Sequence, residues 1–367
     1  MSAHPYQSLP AQNYWRRSIA EVDYRSVDPV VEAKFRIGPH DRVATAGSCF
    51  AQHMARHLRG SGFNYFVTET ANPIVPEGLA QEYNYGVFTA RYGNIYTSRQ
   101  LLQTLHRAYG LFHPADDVWR REDGRLLDPY RPQIQPGGFA SAAEFHADRR
   151  QHLAAVRQAV EQLDVFVFTL GLTETWASRV DGAVYPTCPG VVGSVFDDTN
   201  HVFLNLGVAE VIADLEEVIE FIVARNQRAR FLLTVSPVPL IATAESRSVL
   251  VSTTYSKSVL RVAAEEVTRC RPEVAYFPSY EIITGNYTRG RYFAEDLRSV
   301  TEEGVGHVMR LFMQHYTTAR KEVVAESGVG AAEAKGVAVE LAEAMAVMCD
   351  EEVLDQHRKE DAEAASG

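Results

Sequence analysis

Cysteine is scarce in this sequence of 367 residues, and its four cysteines lie far apart without forming a Cys-x-x-Cys pair. Such spacing predicts neither a disulfide framework nor a structural zinc site, and it fits free thiols in a reducing compartment. Long apolar runs are also missing, since no window reaches the ~18 to 20 residues that a membrane span requires. The first residues lack the pattern of a signal peptide. We therefore expect a cytoplasmic protein without a membrane span.

Positive charge is in short supply as well. The formal net charge is −11, and the basic residues are dispersed rather than gathered in a stripe. This balance argues against a nucleic acid as partner. The glycine-rich loops that bind nucleotides, Gly-x-Gly-x-x-Gly and Gly-x-x-x-x-Gly-Lys, are absent. Because no metal-ligand spacing is present either, we expect neither a metal nor an organic cofactor.

Short apolar runs alternate with amphipathic segments along most of the chain. Helical periodicity, for example over residues 208–224 and 249–270, fills most intervals between five runs that are typical of buried strands, whereas residues 180–202 contain prolines and glycines and indicate an irregular loop. This alternation predicts an α/β fold in three layers, with a parallel five-stranded sheet covered by helices on both faces. The five predicted strands cover residues 43–46, 63–68, 164–170, 229–235 and 273–277.

The chain divides by composition into three parts. Residues 1–40 contain four prolines, which predicts an irregular N-terminal arm. Residues 41–325 carry the alternating pattern of the predicted α/β domain, with an irregular cap insertion at about 69–150. Residues 326–367 are rich in alanine and glutamate, and we expect a marginal helix or a solvated tail there.

The cap insertion is rich in tyrosine and asparagine. Insertions between core elements often form one wall of a site. Asn72, Asn94 and Tyr96 are therefore candidates for binding a polar ligand such as a sugar. The alternative is that these side chains stabilise turns and pack at a rim.

A strand that turns directly into a helix is predicted where residues 43–46 end. Gly47 breaks the apolar run, Ser48 and Cys49 follow, and helical spacing starts at Phe50. Such a turn exposes a side chain above the sheet edge, beside a helix N-terminus that stabilises an anion. The pattern predicts a nucleophile at Ser48 or Cys49. The alternative is a tight turn with an N-cap serine and a buried cysteine.

The stretch Gly47-Ser48-Cys49-Phe50-Ala51 resembles the motif that names the GSCFA family, which belongs with the SGNH (GDSL-like) hydrolases. The resemblance covers most of the chain. The first SGNH block reads Gly-Asp-Ser, and its nucleophile aligns with Cys49. Ser48 remains the rival, because a slip of one residue at a tight turn exchanges the two. A cysteine is chemically suitable, since its thiolate forms readily at a helix N-terminus.

A second block of the resemblance covers Gly171-Leu172-Thr173-Glu174, where the family pattern is Gly-x-Asn followed by an acidic residue. The resemblance implies that Gly171 and Thr173 help to form an oxyanion hole. Glu174 would orient a base or bind a substrate hydroxyl. The alternative for Glu174 is a surface carboxylate or a helix cap.

The third block departs from the family pattern Asp-x-x-His. Asp296 aligns with the acid that orients the base, but Ser299 occupies the position of the histidine. Two other histidines are therefore candidate bases. His307 comes first because it follows in the last predicted helix, and His53 comes second because it lies one turn after Cys49. A structural role is the alternative for each.

Three further residues are candidates for the site because of their positions in the sequence. Lys257 lies in a helical segment that resembles a family segment, where it would bind a carboxylate or phosphate, unless it is simply solvated. Asn205 would bond the backbone of a neighbouring loop. Ser236 begins a proline-containing loop after a predicted strand, whose backbone N–H groups face the expected cleft. For the last two the alternative is a loop that they hold in shape.

These observations together predict an enzyme that acts on acyl esters. It would hydrolyse an O-acyl group or transfer one, from an acyl donor, onto a carbohydrate or similar polar substrate through a covalent acyl-enzyme. The alternative is a glycan- or polymer-binding protein on a hydrolase scaffold, because the third block lacks its histidine. Function depends on the site rather than on the fold.

Overall fold

The computed structural model describes residues 4–318 of the chain, so the tail predicted from residue 326 lies outside the described residues. Its centre is a parallel sheet of four strands in the order β1-β4-β8-β9. The strands are β1 (Val43–Gly47), β2 (Trp119–Arg120), β3 (Leu126–Leu127), β4 (Val165–Leu170), β5 (Glu174–Ser178), β6 (Val184–Tyr185), β7 (His201–Asn205), β8 (Arg230–Val235) and β9 (Val274–Tyr276).

Helices connect the strands of this sheet, and those predicted over 208–224 and 249–270 are confirmed within one residue. Among residues 4–318, no helix is both long enough and apolar enough to cross a membrane. The helices are α1 (Cys49–Gly60), α2 (Glu77–Glu82), α3 (Ser98–Ala108), α4 (Ala142–Gln162), α5 (Val208–Val223), α6 (Val249–Cys270), α7 (Ser279–Thr284) and α8 (Glu302–Tyr316).

Alternating side chains of the strands pack against two separate helical layers. In β4, Phe166 and Phe168 join a core cluster with α3, α4, α5 and α6. Val165 and Val167 point to the opposite face and join a cluster with α1, α7 and α8. Because both faces are covered, the strands are apolar at nearly every position. The α/β prediction with helices on both faces is thus confirmed.

The prediction of a strand over residues 63–68, the second of the five expected along the chain, is wrong. This segment forms only a single bridge, in which Tyr65 lies parallel to Val43 at the edge of β1. Further along β1, Thr45 N donates instead to the side chain of Thr89, at 2.9 Å. A side chain of the cap insertion thus replaces the backbone ladder that would have extended the sheet.

A small antiparallel sheet, β6-β5-β7, was not predicted, because residues 180–202 contain prolines and glycines that indicated an irregular loop. In this sheet Glu174 pairs with Asn205. The pairing brings residues from two distant parts of the sequence to the carboxyl end of the central sheet.

Buried ion pairs attach residues 69–131 of the predicted cap insertion to α4, whose first turns fall within the predicted bounds of the same insertion. Arg91 and Arg131 both pair with Asp148 on this helix, at 2.6 and 2.7 Å. His152, one turn further on, contacts the carboxylate of Glu69 at 2.8 Å. Burial alone would raise the pKa of Glu69, but His152 and Arg131 lower it to about 2. The insertion is therefore held by charges that would be costly to separate.

Candidate functional site

The turn between β1 and α1 depends on a glycine. Gly47 has a φ of +143°, and a Cβ on this residue would lie 2.5 Å from Thr169 O and 2.7 Å from Thr169 Cβ on β4. A side chain cannot fit that space, and L-residues rarely adopt that φ. The close approach of β1 to β4 therefore fixes where α1 begins.

Ser48 is the N-cap residue of α1, but its hydroxyl does not cap the helix. The side chain is 4% exposed, and Oγ has no hydrogen-bond partner among the described residues. A buried hydroxyl without a partner costs about 1–3 kcal/mol. Most N-cap serines bond to the first turn of their helix, so this hydroxyl is in an unusual state.

A segment of the cap insertion crosses the carboxyl ends of β1 and β4. Ile95 N donates to Gly47 O at 2.8 Å, and Gly171 N donates to Tyr96 O at 3.0 Å. A Cβ on Gly171 would lie 3.1 Å from Ser48 Cβ. The structure therefore brings Gly171 and Ser48 together, as expected for residues at the ends of parallel strands, and it adds Tyr96 of the predicted cap insertion to them.

Asn94 lies in the same segment and is 3% exposed. Its Oδ1 accepts a hydrogen bond from Gln52 Nε2 on α1, at 3.0 Å, and its carbonyl accepts one from Gln100 Nε2, at 2.8 Å. Asn72, by contrast, is exposed, and its Oδ1 accepts from Ile74 N in a surface turn. The structure therefore places Asn94, but not Asn72, beside the turn that carries Ser48.

The two donors expected in the oxyanion hole are engaged within the fold. Gly171 N donates to Tyr96 O, and Thr173 Oγ1 donates to Asn205 Oδ1 at 2.7 Å. Thr173 N in turn donates to Ser256 Oγ on α6, at 3.0 Å. The N–H groups of Cys49 and Phe50 at the start of α1 precede the first intrahelical acceptor, whereas Ala51 N already donates to Ser48 O at 2.8 Å.

Glu174 contacts the loop after β8. Its Oε1 accepts a hydrogen bond from Thr243 Oγ1 at 2.8 Å, and burial, with the nearby Glu245, raises its pKa. Asn205 Nδ2 donates to Glu245 Oε1 at 3.0 Å. These contacts attach the loop to the small sheet, but Asn205 bonds a side chain of this loop rather than its backbone. Ser236 begins this loop, and its Oγ accepts from Val238 N at 3.3 Å.

Lys257 is 1% exposed although it carries an amino group. It lies on α6 next to Ser256, and its Nζ donates to Gly171 O at 2.7 Å. The contact joins α6 to the loop that packs against Ser48. The alternative of a solvated lysine is therefore wrong, because burial removes this side chain from water.

The residues of the third block form a separate local turn. Asp296 accepts hydrogen bonds from Ser299 N at 2.9 Å and from the Ser299 hydroxyl. His307, further along on α8, is 2% exposed. Its Nδ1 lies 2.7 Å from Tyr292 Oη, and its Nε2 lies 2.9 Å from Val27 O. Both ring nitrogens are thus engaged, one with Tyr292 and the other with the N-terminal arm, and we do not retain His307 as the base.

His53 lies on α1 one turn after Cys49, and its ring lies 5.7 Å from that of Phe50. Burial and the neighbouring Arg56 and His57 lower the pKa of His53 to about 4. The imidazole is therefore neutral at pH 7, but it is a weak base. Within residues 4–318, no three His, Cys, Asp or Glu side chains converge as a metal site would require.

A comparison with protein families matches the chain from β1 into α8. The model of the GSCFA family matches residues 42–312. This chain belongs to the GSCFA family. No curated protein is similar enough to the chain to be matched with it. The GSCFA match covers the cap insertion, the carboxyl ends of the central strands and α6, and the family name itself states no reaction.

Sequence reasoning missed two side chains of this GSCFA site. Gln52 lies one turn after Ser48 on α1, so helical spacing was a signal for it. Glu245 lies in the loop after β8 and reaches Asn205 across 40 residues. No local pattern could have found that contact, because it depends on how the loop folds back.

Proposed function

We propose that this protein is an acyl-ester hydrolase or O-acyltransferase that acts on a carbohydrate or similar polar substrate. In this proposal the nucleophile is Cys49, with Ser48 as the rival. The acyl group passes through a covalent intermediate on that residue. If the reaction is transfer, an acyl donor is the second substrate.

The observation that carries this proposal is the turn from β1 into α1. Gly47 brings the start of the helix against β4, and Cys49 is the first residue of α1. A thiol at this position loses its proton readily, because the N-terminus of a helix stabilises the thiolate. The burial of Ser48 limits the access of a substrate to its hydroxyl, which favours Cys49 as the attacking residue.

The N-terminus of α1 also supports the oxyanion. When the nucleophile attacks the ester carbonyl, negative charge develops on the carbonyl oxygen and needs donors that are already oriented. The N–H groups of Cys49 and Phe50 precede the first intrahelical acceptor. They are available for this role, whereas Gly171 N and Thr173 Oγ1 are engaged within the fold.

The test is formation of an acetyl-enzyme from p-nitrophenyl acetate, followed by intact mass and by release of p-nitrophenolate. We expect the wild type to gain one acetyl group and the Cys49→Ala variant to gain none. Cys188→Ala and Cys270→Ala are matched controls, because Cys270 is exposed and burial raises the pKa of Cys188 to about 11. Both controls should acylate like the wild type.

A second candidate function, binding of a glycan or polymer without turnover, rests on one observation. Ser299 stands where the family pattern has histidine, and it bonds to Asp296. If the folded wild type gains no acetyl group while it binds oligosaccharides in a glycan array, the binding function replaces the enzyme. If the wild type gains an acetyl group and only Cys49→Ala fails to gain one, the binding function without turnover is excluded.

A further inference from the structure

Lysine is rare in this protein, and one of its lysines is buried beside the candidate site. The chain has 31 arginines but only five lysines. Lys257 is 1% exposed, and its Nζ donates to the carbonyl of Gly171. Arginine stays charged in proteins, whereas a buried lysine can exchange its proton.

The position of this amine links it to the turn at β1 and α1. Gly171 O lies 2.7 Å from Nζ, and a Cβ on Gly171 would lie 3.1 Å from Ser48 Cβ. With ordinary covalent bond lengths, these contacts keep Nζ within roughly 10 Å of Ser48 Cβ. The bond from Thr173 N to Ser256 Oγ fixes α6 against the same loop. The amine is therefore held at the edge of the candidate site.

The histidines considered from the sequence do not provide a better base. Ser299 occupies the family position of the histidine. Both ring nitrogens of His307 contact Tyr292 and Val27. His53 is a weak base, because its pKa is lowered to about 4, and an effective general base has a pKa near the working pH.

We propose that Lys257 is the general base of the acyl-transfer reaction, an inference that rests on the proposed function. The neutral amine takes the proton of the Cys49 thiol, or of the Ser48 hydroxyl, directly or through one water. A bond forms between the nucleophile and the acyl carbon, and the carbonyl electrons move onto the oxyanion. When the oxyanion collapses, the ester C–O bond breaks, and the Lys257 ammonium gives its proton to the leaving alkoxide.

The same amine serves the second half of the reaction. It takes a proton from water, or from the hydroxyl of an acceptor sugar, as that oxygen attacks the acyl-enzyme. Collapse then breaks the bond to the nucleophile, which regains the proton from Lys257. The buried position suits this cycle, because removal from water penalises the ammonium form and favours the neutral amine that begins it.

The test compares the rate of acetyl-enzyme formation in Lys257→Met, Lys257→Arg and Lys257→Ala. We expect each variant to be slower by about 10²- to 10⁴-fold, the usual contribution of a general base. Arginine should not restore the rate, since it cannot give up its proton. Added ethylamine should accelerate Lys257→Ala in proportion to the concentration of the neutral amine, so rescue should increase with pH.

Lys34→Met is the matched control, because Lys34 Nζ bonds to the carbonyls of Thr268 and Arg271 at the far end of α6. It should acylate at the wild-type rate. If Lys257→Met also acylates at that rate, or if Lys257→Arg retains full activity, Lys257 is not the base. If the folded Lys257→Ala variant acylates slowly and ethylamine does not restore its rate, Lys257 is a structural cation and not the base.

A second measurement does not depend on turnover. In protein labelled with ¹³C-lysine, the five lysine signals can be titrated by NMR, and the signal lost in Lys257→Met identifies Lys257. We expect it to titrate well below the others. An acylating wild type whose Lys257 titrates with the other lysines would overturn this inference alone. If Lys257 titrates below the other lysines but the wild type never forms an acetyl-enzyme, the amine is neutral as inferred, and the proposed function is overturned.

Discussion

Replacement of Ser48 by alanine should stabilise the protein, although Ser48 is the N-cap residue of a helix. At most N-caps this substitution removes a hydrogen bond to the first turn and costs about 1 kcal/mol. Here the hydroxyl makes no such bond and has no partner among the described residues. The substitution therefore removes only a buried polar group whose desolvation is uncompensated.

The magnitude follows from that state of the hydroxyl. An unsatisfied buried polar group costs about 1–3 kcal/mol, and Ser48→Ala recovers a part of this. We expect the free energy of unfolding to rise by about 1 kcal/mol. The matched control is Ser141→Ala at the start of α4, where Oγ accepts from Glu144 N at 3.2 Å. That variant should lose about 1 kcal/mol.

Urea denaturation of the wild type, Ser48→Ala and Ser141→Ala measures this difference directly. The two variants should move the midpoint in opposite directions at a common slope. If Ser48→Ala loses as much stability as Ser141→Ala, the Ser48 hydroxyl has a partner in solution, and the reasoning fails. The stabilised variant also serves the activity test, because any loss of acylation in it cannot result from unfolding.

Three further predictions concern the turn, the α1 histidine and the cap insertion, all followed by urea denaturation. Gly47→Ala should lower the free energy of unfolding by about 3 kcal/mol or more, because of backbone strain and overpacking. Gly306→Ala in α8 should raise it by up to about 1 kcal/mol, because a Cβ there meets no atom within 4 Å. In the wild type the free energy of unfolding should fall between pH 6.5 and 4, because His53 binds a proton there in the unfolded chain but not in the folded one, where its pKa is about 4. His53→Gln should remove this part of the loss. Glu69→Gln should cost about 3–5 kcal/mol at pH 7, and its deficit should shrink as pH falls from 4.5 towards 2, where the wild type also loses the carboxylate. Equal effects of the two glycine variants, an unchanged acid profile in His53→Gln, or a pH-independent deficit in Glu69→Gln would contradict these expectations.

The layers of the fold could be predicted from the sequence because their signals are local. The helical spacing over 249–270 and the apolar run at 164–170 mark α6 and β4 within a residue of their bounds. The error at 63–68 has a long-range cause. Its apolar residues suit a strand, but Thr89 of the cap insertion bonds to Thr45 and occupies the edge where the ladder would continue.

The site could be predicted only in outline. Strand ends of a parallel sheet meet at one edge, so the grouping of Gly47, Gly171 and Thr173 was accessible from the sequence. The hydrogen bonding of these groups was not accessible. Thr173 Oγ1 donates to Asn205, which lies 32 residues further along the chain, and the pairing depends on a small sheet whose strands carry weak signals. The sequence thus indicates that a polar residue lies at the end of a strand, but not whether its hydrogen-bond donor is free to bind a substrate.

Few hydrogen-bond donors of the candidate site are available to an oxyanion, and the direction of those that are depends on the backbone at Gly47. Gly171 N and Thr173 Oγ1 are engaged, so in the proposed reaction the oxyanion would be stabilised by the N–H groups of Cys49 and Phe50 at the start of α1. The direction of those N–H groups follows from where the helix begins, and Gly47 determines that through its φ of +143° and its contact with Thr169. A Gly47→Ala protein that still folds should therefore acylate more slowly than its loss of stability explains. If its acylation rate per folded molecule equals that of the wild type, the oxyanion is held elsewhere, and Gly171 or Thr173 must release its bond during the reaction.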